Sequence, residues 1–175
     1  MKKYCLCVLG CLIAIVFIVG ALSPSGAETE YLRIHIRADS NSERDQSVKY
    51  EIKDAVVDFL TPIVAQCDNK EKAEKAITDN LNNIERIADE VLIKRGFTYK
   101  SQAKINNEEF PTRTYGEFTL EKGYYDALII NLGSGQGDNW WCVVYPPLCF
   151  TDTKVYKYKS KIYEIIKSFF NQEDI

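Results

Sequence analysis

Apolar and polar residues alternate strictly over residues 31–38. Such alternation predicts a half-buried β-strand, because successive side chains of a strand point to opposite faces of the sheet. One face of this strand carries aliphatic residues and is expected to enter the core. The other face carries Arg33, His35 and Arg37 and is expected to be polar.

Two helical patterns follow this strand. Ser40 and Glu43 have the spacing of a capping box and mark the start of a first helix, which Pro62 is expected to end or bend. A second helix is predicted from a cap at Asp68 or Asn69. In both segments apolar residues recur every three or four positions, which is typical of helices that pack one face against a core.

After these helices the apolar residues recur at every second position instead of every third or fourth. Strands are predicted over residues 99–105, 114–120, 124–132 and 140–145, with turns at Asn106-Asn107, at Lys122-Gly123 and in a glycine-rich loop. The sequence therefore predicts an α+β fold in the order β-α-α-β-β-β-β, with an antiparallel sheet of four to five strands packed on two helices. A C-terminal amphipathic helix follows a basic connector. Its simpler interpretation is a helix docked on the sheet, and the alternative is a membrane-surface helix.

The N-terminal residues have the composition of a leader. Lys2 and Lys3 precede a long uncharged apolar run, and Ser25-Gly26-Ala27 after it suits a signal peptidase site. The run is nearly long enough to span a bilayer, so an uncleaved anchor is the alternative. Both alternatives place the rest of the chain outside the cytoplasm. We predict three parts: a signal peptide or anchor over residues 1–27, one domain over residues 28–152, and the connector and last helix over residues 153–175.

Charge and cysteine content narrow the class of protein. Removing Lys2 and Lys3 leaves 20 basic and 25 acidic residues, a net charge of −5. This balance argues against nucleic-acid binding, which needs a basic surface. Cys142 and Cys149 could pair in an oxidising compartment, although the proline pair between them could hold the sulfurs apart. Cys67 is expected to be a small buried residue.

The segment over residues 133–150 concentrates aromatic residues, glycines and prolines. Trp140 and Trp141 are neighbours in a predicted strand, so they must point to opposite faces. Either both indoles belong to the core, or one anchors a protein partner. Trp141 is the expected anchor, because Tyr145 would share its face. The hypothetical partner-binding set comprises Trp140, Trp141, Tyr145, Pro146, Pro147 and Phe150.

Catalytic motifs are missing from the sequence. His35 is the only histidine, so a nucleophile would have one candidate base, and flanking arginines on the same face would disfavour its charged form. Cys142 or Cys149 with His35 would be the least unsuitable pair, and a cell-envelope cysteine hydrolase is kept as the alternative function. One distant histidine and a Cys-x6-Cys spacing make a poor zinc site. We predict no enzyme, no metal and no cofactor.

Several runs of residues resemble the stage II sporulation protein R family over about residues 31–152. They are Leu32-Arg33-Ile34-His35-Ile36, Asp39-Ser40, Asp45-Gln46, Phe110-Pro111-Thr112-Arg113 with Tyr115-Gly116, Asn139-Trp140-Trp141-Cys142-Val143 and Pro146-Pro147-Leu148-Cys149-Phe150. Tyr145 departs from the phenylalanine expected in the family, but it keeps the aromatic ring.

The resemblance implies an intercellular signalling protein of endospore formation, secreted across the forespore membrane into the intermembrane space. Its implied partner is a membrane-embedded aspartic protease of the mother cell, which it activates and which then processes the sigma-E precursor. The chain would be the signal for cleavage and not the protease. Membrane contact is expected only through the leader or the C-terminal helix.

Overall fold

The computed structural model describes residues 31–116 and 118–148. The predicted leader, the C-terminal helix, Cys149 and Phe150 lie outside these residues. In chain order the described elements are β1 (Leu32–Arg37), α1 (Glu43–Val64), α2 (Lys70–Thr78), α3 (Leu81–Lys94), β2 (Ser101–Phe110), β3 (Arg113–Tyr115), β4 (Phe118–Leu120), β5 (Gly123–Leu132) and β6 (Asn139–Tyr145). No helix in this part of the chain is long and apolar enough to cross a bilayer.

The four-stranded sheet is mixed, in the spatial order β2-β5-β1-β6. β1 is parallel to β5 and antiparallel to β6, and β2 is antiparallel to β5. The α+β class is confirmed, but the prediction of an antiparallel sheet is wrong. β1 lies between β5 and β6, which run in opposite directions, so one of these two neighbours must be parallel to it. Periodicity predicts that a strand exists and not which strand it pairs with.

The predicted order of elements is wrong in two places. The second predicted helix is two helices, α2 and α3, because Asn80 interrupts it and its side-chain amide donates to the Ala76 carbonyl at 2.9 Å. The predicted strand over residues 114–120 is the hairpin β3–β4, which turns at Gly116 with a φ of 62°. Glycine adopts this left-handed conformation without steric cost. Gly116 and Glu117 interrupt the predicted strand in the sequence, and the prediction overlooked this turn signal.

Element boundaries also differ from prediction. Pro62 lies inside the last turn of α1 instead of ending it, since a proline there removes a single helical hydrogen bond. The N-cap of α1 is Ser42, whose hydroxyl accepts from the Asp45 N–H at 3.1 Å, and not Ser40. Asn106-Asn107 is not a turn but continues β2, and the Asn107 side chain donates to Asp126 on β5 at 2.8 Å.

β1 is buried on both faces, which corrects the prediction of a half-buried strand. Its aliphatic face packs on α1, α2 and α3 in the larger core cluster. Its opposite face carries Arg33 and His35, with exposed fractions of 0% and 1%, beside a smaller cluster of Phe110, Tyr125, Ala127 and Ile129. Charged residues at alternate positions therefore do not mark a solvent-facing row in this strand.

The glycine-rich loop between β5 and β6 packs closely against the segment that follows β1. The Gly137 N–H donates to the Ala38 carbonyl at 2.8 Å. A Cβ atom at Gly137 would approach the Ser40 carbonyl well inside 3.0 Å, a separation that real Cβ atoms essentially never show. The glycine is therefore required by the close approach of two backbone segments.

We predict that Gly137→Ala destabilises the chain by about 1–3 kcal/mol, because the two segments must separate to accept a methyl group. Gly123→Ala is the matched control, since a Cβ there would meet only Tyr125 at an ordinary 3.4 Å. Urea unfolding of the two variants measures the difference. Equal stabilities would contradict the close-approach argument.

Candidate functional site

The tryptophan pair lies on β6, an edge strand of the four-stranded sheet in the described residues. Trp140 is opposite Ile36 in the register and Trp141 is opposite His35, so the two indoles point to opposite faces. Trp140 packs against the larger cluster beneath the helices, and Trp141 packs against the smaller cluster. Both side chains are partly exposed. The predicted division of the two indoles between the faces is confirmed.

The expectation that Tyr145 shares the face of Trp141 is wrong. A bulge shifts the register so that Leu32 is opposite Tyr145 while Arg33 is opposite Val143. The extra residue turns Tyr145 into the larger core cluster, where its exposed fraction is 1%. Of the remaining predicted partner-binding residues, Pro146 and Pro147 are buried, and Phe150 lies beyond the described residues.

His35 and Cys142 lie on opposite faces of the sheet. Cys142 is opposite Ile34 and belongs to the larger cluster, whereas His35 faces the smaller one. Cys142 is disulfide-bonded, and its pairing with Cys149 stays a prediction because Cys149 is not among the described residues. A bonded sulfur across the sheet from the imidazole cannot act as its nucleophile. Cys67 is a buried thiol near the Ile63 carbonyl, at 3.5 Å.

The polar face is defined here by Arg33, His35, Arg37, Glu108 and Trp141. His35 stacks on Trp141 with 3.5 Å between ring centroids. Glu108 accepts from Arg37 at 2.5 Å, and its carboxylate lies 3.6 Å from His35 Nδ1, beyond hydrogen-bond distance. Burial, reinforced by the charge of Arg37, lowers the pKa of His35 to about 4, against the opposing effects of Asn139 and Glu108. The imidazole is therefore neutral near pH 7.

Arg33 occupies an aromatic cage on the same face. Its guanidinium carbon lies 4.3 Å from the Phe110 ring centroid, 4.9 Å from Tyr125 and 5.9 Å from Tyr115. Its Nη2 donates to the Tyr115 hydroxyl at 2.7 Å. Nε and Nη1 are buried and have no hydrogen-bond partner. Sequence analysis missed this cage, because its rings come from three separate strands.

A polar network holds the start of β6 against α1. Lys49, with an exposed fraction of 1%, donates to the Asp138 carbonyl at 2.9 Å and to Gln46 Oε1 at 2.6 Å. Asn41 Oδ1 accepts from the Asp138 N–H at 2.5 Å. Because burying the Lys49 ammonium is unfavourable without partners, these bonds fix the loop just before the tryptophans. A lysine in the middle of an amphipathic helix gave no sequence signal for this role.

Asp45 completes the network at the helix start. It accepts hydrogen bonds from the hydroxyls of Ser40, Ser42 and Tyr99, the last two at 2.8 and 2.6 Å. Burial raises the pKa of Asp45, but these three donors outweigh it and hold the pKa below its usual value. These hydroxyl partners hold the start of the helix, and no group of His, Cys, Asp or Glu in the described residues is arranged to hold a metal ion.

We predict that His35 makes stability fall with acid between about pH 6.5 and pH 4. In that window the unfolded chain binds a proton that the native imidazole does not, so stability is greatest above the window and decreases as pH falls. The expected loss is about 3 kcal/mol. Urea unfolding at pH 7, 5 and 4 should show this loss in the wild type and not in His35→Gln. Parallel pH profiles for the two chains would contradict it.

The model of the family described as stage II sporulation protein R matches residues 28–155. Stage II sporulation protein R of Bacillus subtilis (strain 168) is 40% identical over 121 residues, which cover 69% of this chain and 54% of the relative, so the chain spans about half the length of that relative. No solved structure matches. The chain belongs to the stage II sporulation protein R family, and its role is in sporulation.

Proposed function

We propose that this protein is an exported signal that activates a membrane-embedded aspartic protease of the mother cell, which then processes the sigma-E precursor. Membership of the sporulation family carries this proposal. The predicted leader supplies the route out of the forespore. The relative extends well beyond this chain, so its activity is carried over as part of the proposal.

The chemistry of the described residues favours a signal over an enzyme. Cys142 is bonded and lies across the sheet from His35, whose low pKa leaves it neutral under a stacked indole. The Cys142–His35 form of the cysteine hydrolase alternative therefore has no support from the geometry. A function that needs only a binding surface is compatible with the described residues, which bring no nucleophile and base together.

The surface that we propose for the partner is the polar face. The aliphatic face of the sheet is covered by three helices, whereas the polar face holds a small cluster with charged and aromatic residues. Trp141 lies there, partly exposed, as a large amphipathic side chain suited to an interface. Trp140 is assigned to the fold instead, because it packs against the larger cluster.

Reconstitution tests the proposed function. A non-sporulating bacterium would produce the full chain, the candidate protease and a tagged sigma-E precursor, with cleavage followed by immunoblot. We expect cleavage only when all three proteins are present. Cleavage without the chain would contradict the activating role. Cleavage without the protease would instead favour a hydrolase.

Export is tested in the same cells with Ile13→Arg combined with Ile15→Arg. Each charge opposes membrane insertion of the apolar run by roughly 2.5–3.5 kcal/mol, so we expect the chain to stay inside and cleavage to stop. Ile13→Leu combined with Ile15→Leu is the matched control and should cleave normally. Normal cleavage with the arginine variant would refute the exported route.

Alanine substitutions of the two tryptophans should have different effects on stability and on cleavage. Trp140→Ala removes packing from the larger cluster and should cost about 3 kcal/mol or more of stability. Trp141→Ala should cost less stability but reduce cleavage about tenfold or more, as expected for an interface hot spot. Thermal unfolding of each chain and cleavage in the reconstituted cells give the two measurements. Equal, severe destabilisation by both changes would mean that both indoles are core residues.

A further inference from the structure

The guanidinium of Arg33 is a buried charge with no described counter-ion. Its exposed fraction is 0%, and two of its nitrogens, Nε and Nη1, make no hydrogen bond. Among the described residues of the polar face the one carboxylate is Glu108, which is already bonded to Arg37. A buried cation and two unpaired N–H groups are each unfavourable, so the fold retains an unfavourable group at this position.

A second cation adds to the positive potential at this point. Arg113 is exposed on β3 and its charge disfavours the charged form of Arg33, which the side chains of Tyr115 and Tyr125 favour. Burial is the main cause of a lowered pKa for Arg33, and the groups that oppose this shift, Tyr115 and Tyr125, include no carboxylate of the described residues. The site is thus locally positive in a chain whose net charge is −3. It is complementary to an anion.

The β3–β4 hairpin, which lies over Arg33 and contacts it through Tyr115, is a very small sheet. β3 and β4 have three residues each and form a separate two-stranded sheet, with no ladder to any described strand of the main sheet. The hydrogen bond from Arg33 to Tyr115 ties this hairpin to β1. A two-stranded unit is marginally stable alone, so displacing it is far easier than opening the four-stranded sheet.

We propose that Arg33, together with Arg113, receives a carboxylate of the protein partner beneath the β3–β4 hairpin. The carboxylate accepts a charge-assisted hydrogen bond from one of the two unpaired donors, Nε or Nη1, which point to different sides of the guanidinium. Arg113 lies at the rim and guides the acidic side chain inward. This inference rests on the proposed function, because it specifies what the partner presents to the polar face.

Replacing the buried charge of Arg33 should not destabilise the isolated chain. Arg33→Met keeps the length of the stem and removes a charge that the isolated chain does not neutralise. Thermal unfolding of the purified full chain should therefore occur at the same temperature or higher, because apolar replacements of buried charges are often neutral or stabilising. In reconstituted cells the same variant should lower cleavage about tenfold or more, the loss expected when a buried charge pair loses one partner.

Three further variants test whether the loss of cleavage is specific to the Arg33 site. Arg33→Lys keeps the charge without the planar fork and should fall between the wild type and Arg33→Met. Arg113→Met, which is exposed and should not affect folding, should lower cleavage about threefold. Arg86→Met is the control, since this exposed arginine of α3 pairs with Glu90 of the same helix and should leave cleavage unchanged. All variants are also scored by heat-resistant spore counts in a sporulating strain that lacks its own copy.

Cleavage and spore counts together distinguish a failure of the Arg33 proposal from a failure of the proposed protease activation. If the wild type restores spores but does not trigger cleavage, the protease is the wrong partner, and the spore counts still decide the role of Arg33. A marked fall in unfolding temperature for Arg33→Met would overturn the proposal, because the arginine would be structural. Full spore formation by Arg33→Met would also overturn it. So would binding of the full chain to phosphatidylglycerol vesicles that Arg33→Met abolishes, because the anion would then be a lipid phosphate.

Discussion

Burial of both faces of β1 is the constraint on which the rest of the structure depends. The strand lies between β5 and β6, so its backbone is hydrogen-bonded on both sides. Its aliphatic residues face the helices, and its arginine and histidine face a second, aromatic cluster. Two cores of different size and polarity therefore meet along one six-residue strand. The larger core supplies most of the hydrophobic stabilisation, and the smaller one holds groups that are expensive to bury.

The loop network and the polar face are consequences of this arrangement. The chain leaves β1 into Asp39 and Ser40, and the glycine loop must approach that segment closely before β6 can pair with β1. Lys49 fixes the end of the loop from α1, so the position of Trp141 beside His35 follows from contacts on the opposite side of the sheet. A binding surface on the polar face would thus be positioned by the larger core, which lies on the opposite side of the sheet.

Sequence reasoning predicted the elements better than their arrangement. Alternation identified β1, β5 and β6, since a period of two is a local property, and the opposite orientations of Trp140 and Trp141 followed from it. Strand pairing, the parallel β1–β5 contact and the bulge before Tyr145 depend on residues far apart in the chain. Periodicity does not contain such information.

The site was harder to predict than the fold for a related physical reason. Arg33 and His35 have the composition of a solvent-facing row, and the rings that pack on them come from β2, β3, β5 and β6, far apart in the chain. Lys49 gave no signal, because an isolated lysine on a helix is usually exposed. The family resemblance named the sporulation role, but it assigned no function to these side chains.

Hydrogen exchange of the backbone amides tests the central claim most directly. If β1 is paired on both sides and sealed on both faces, the amides of Ile34, His35 and Ile36 should exchange only through global unfolding, as slowly as the slowest amides of β5. Exchange of these three amides as fast as that of the exposed ends of α2 would contradict the account, because β1 would then be an edge or half-open strand.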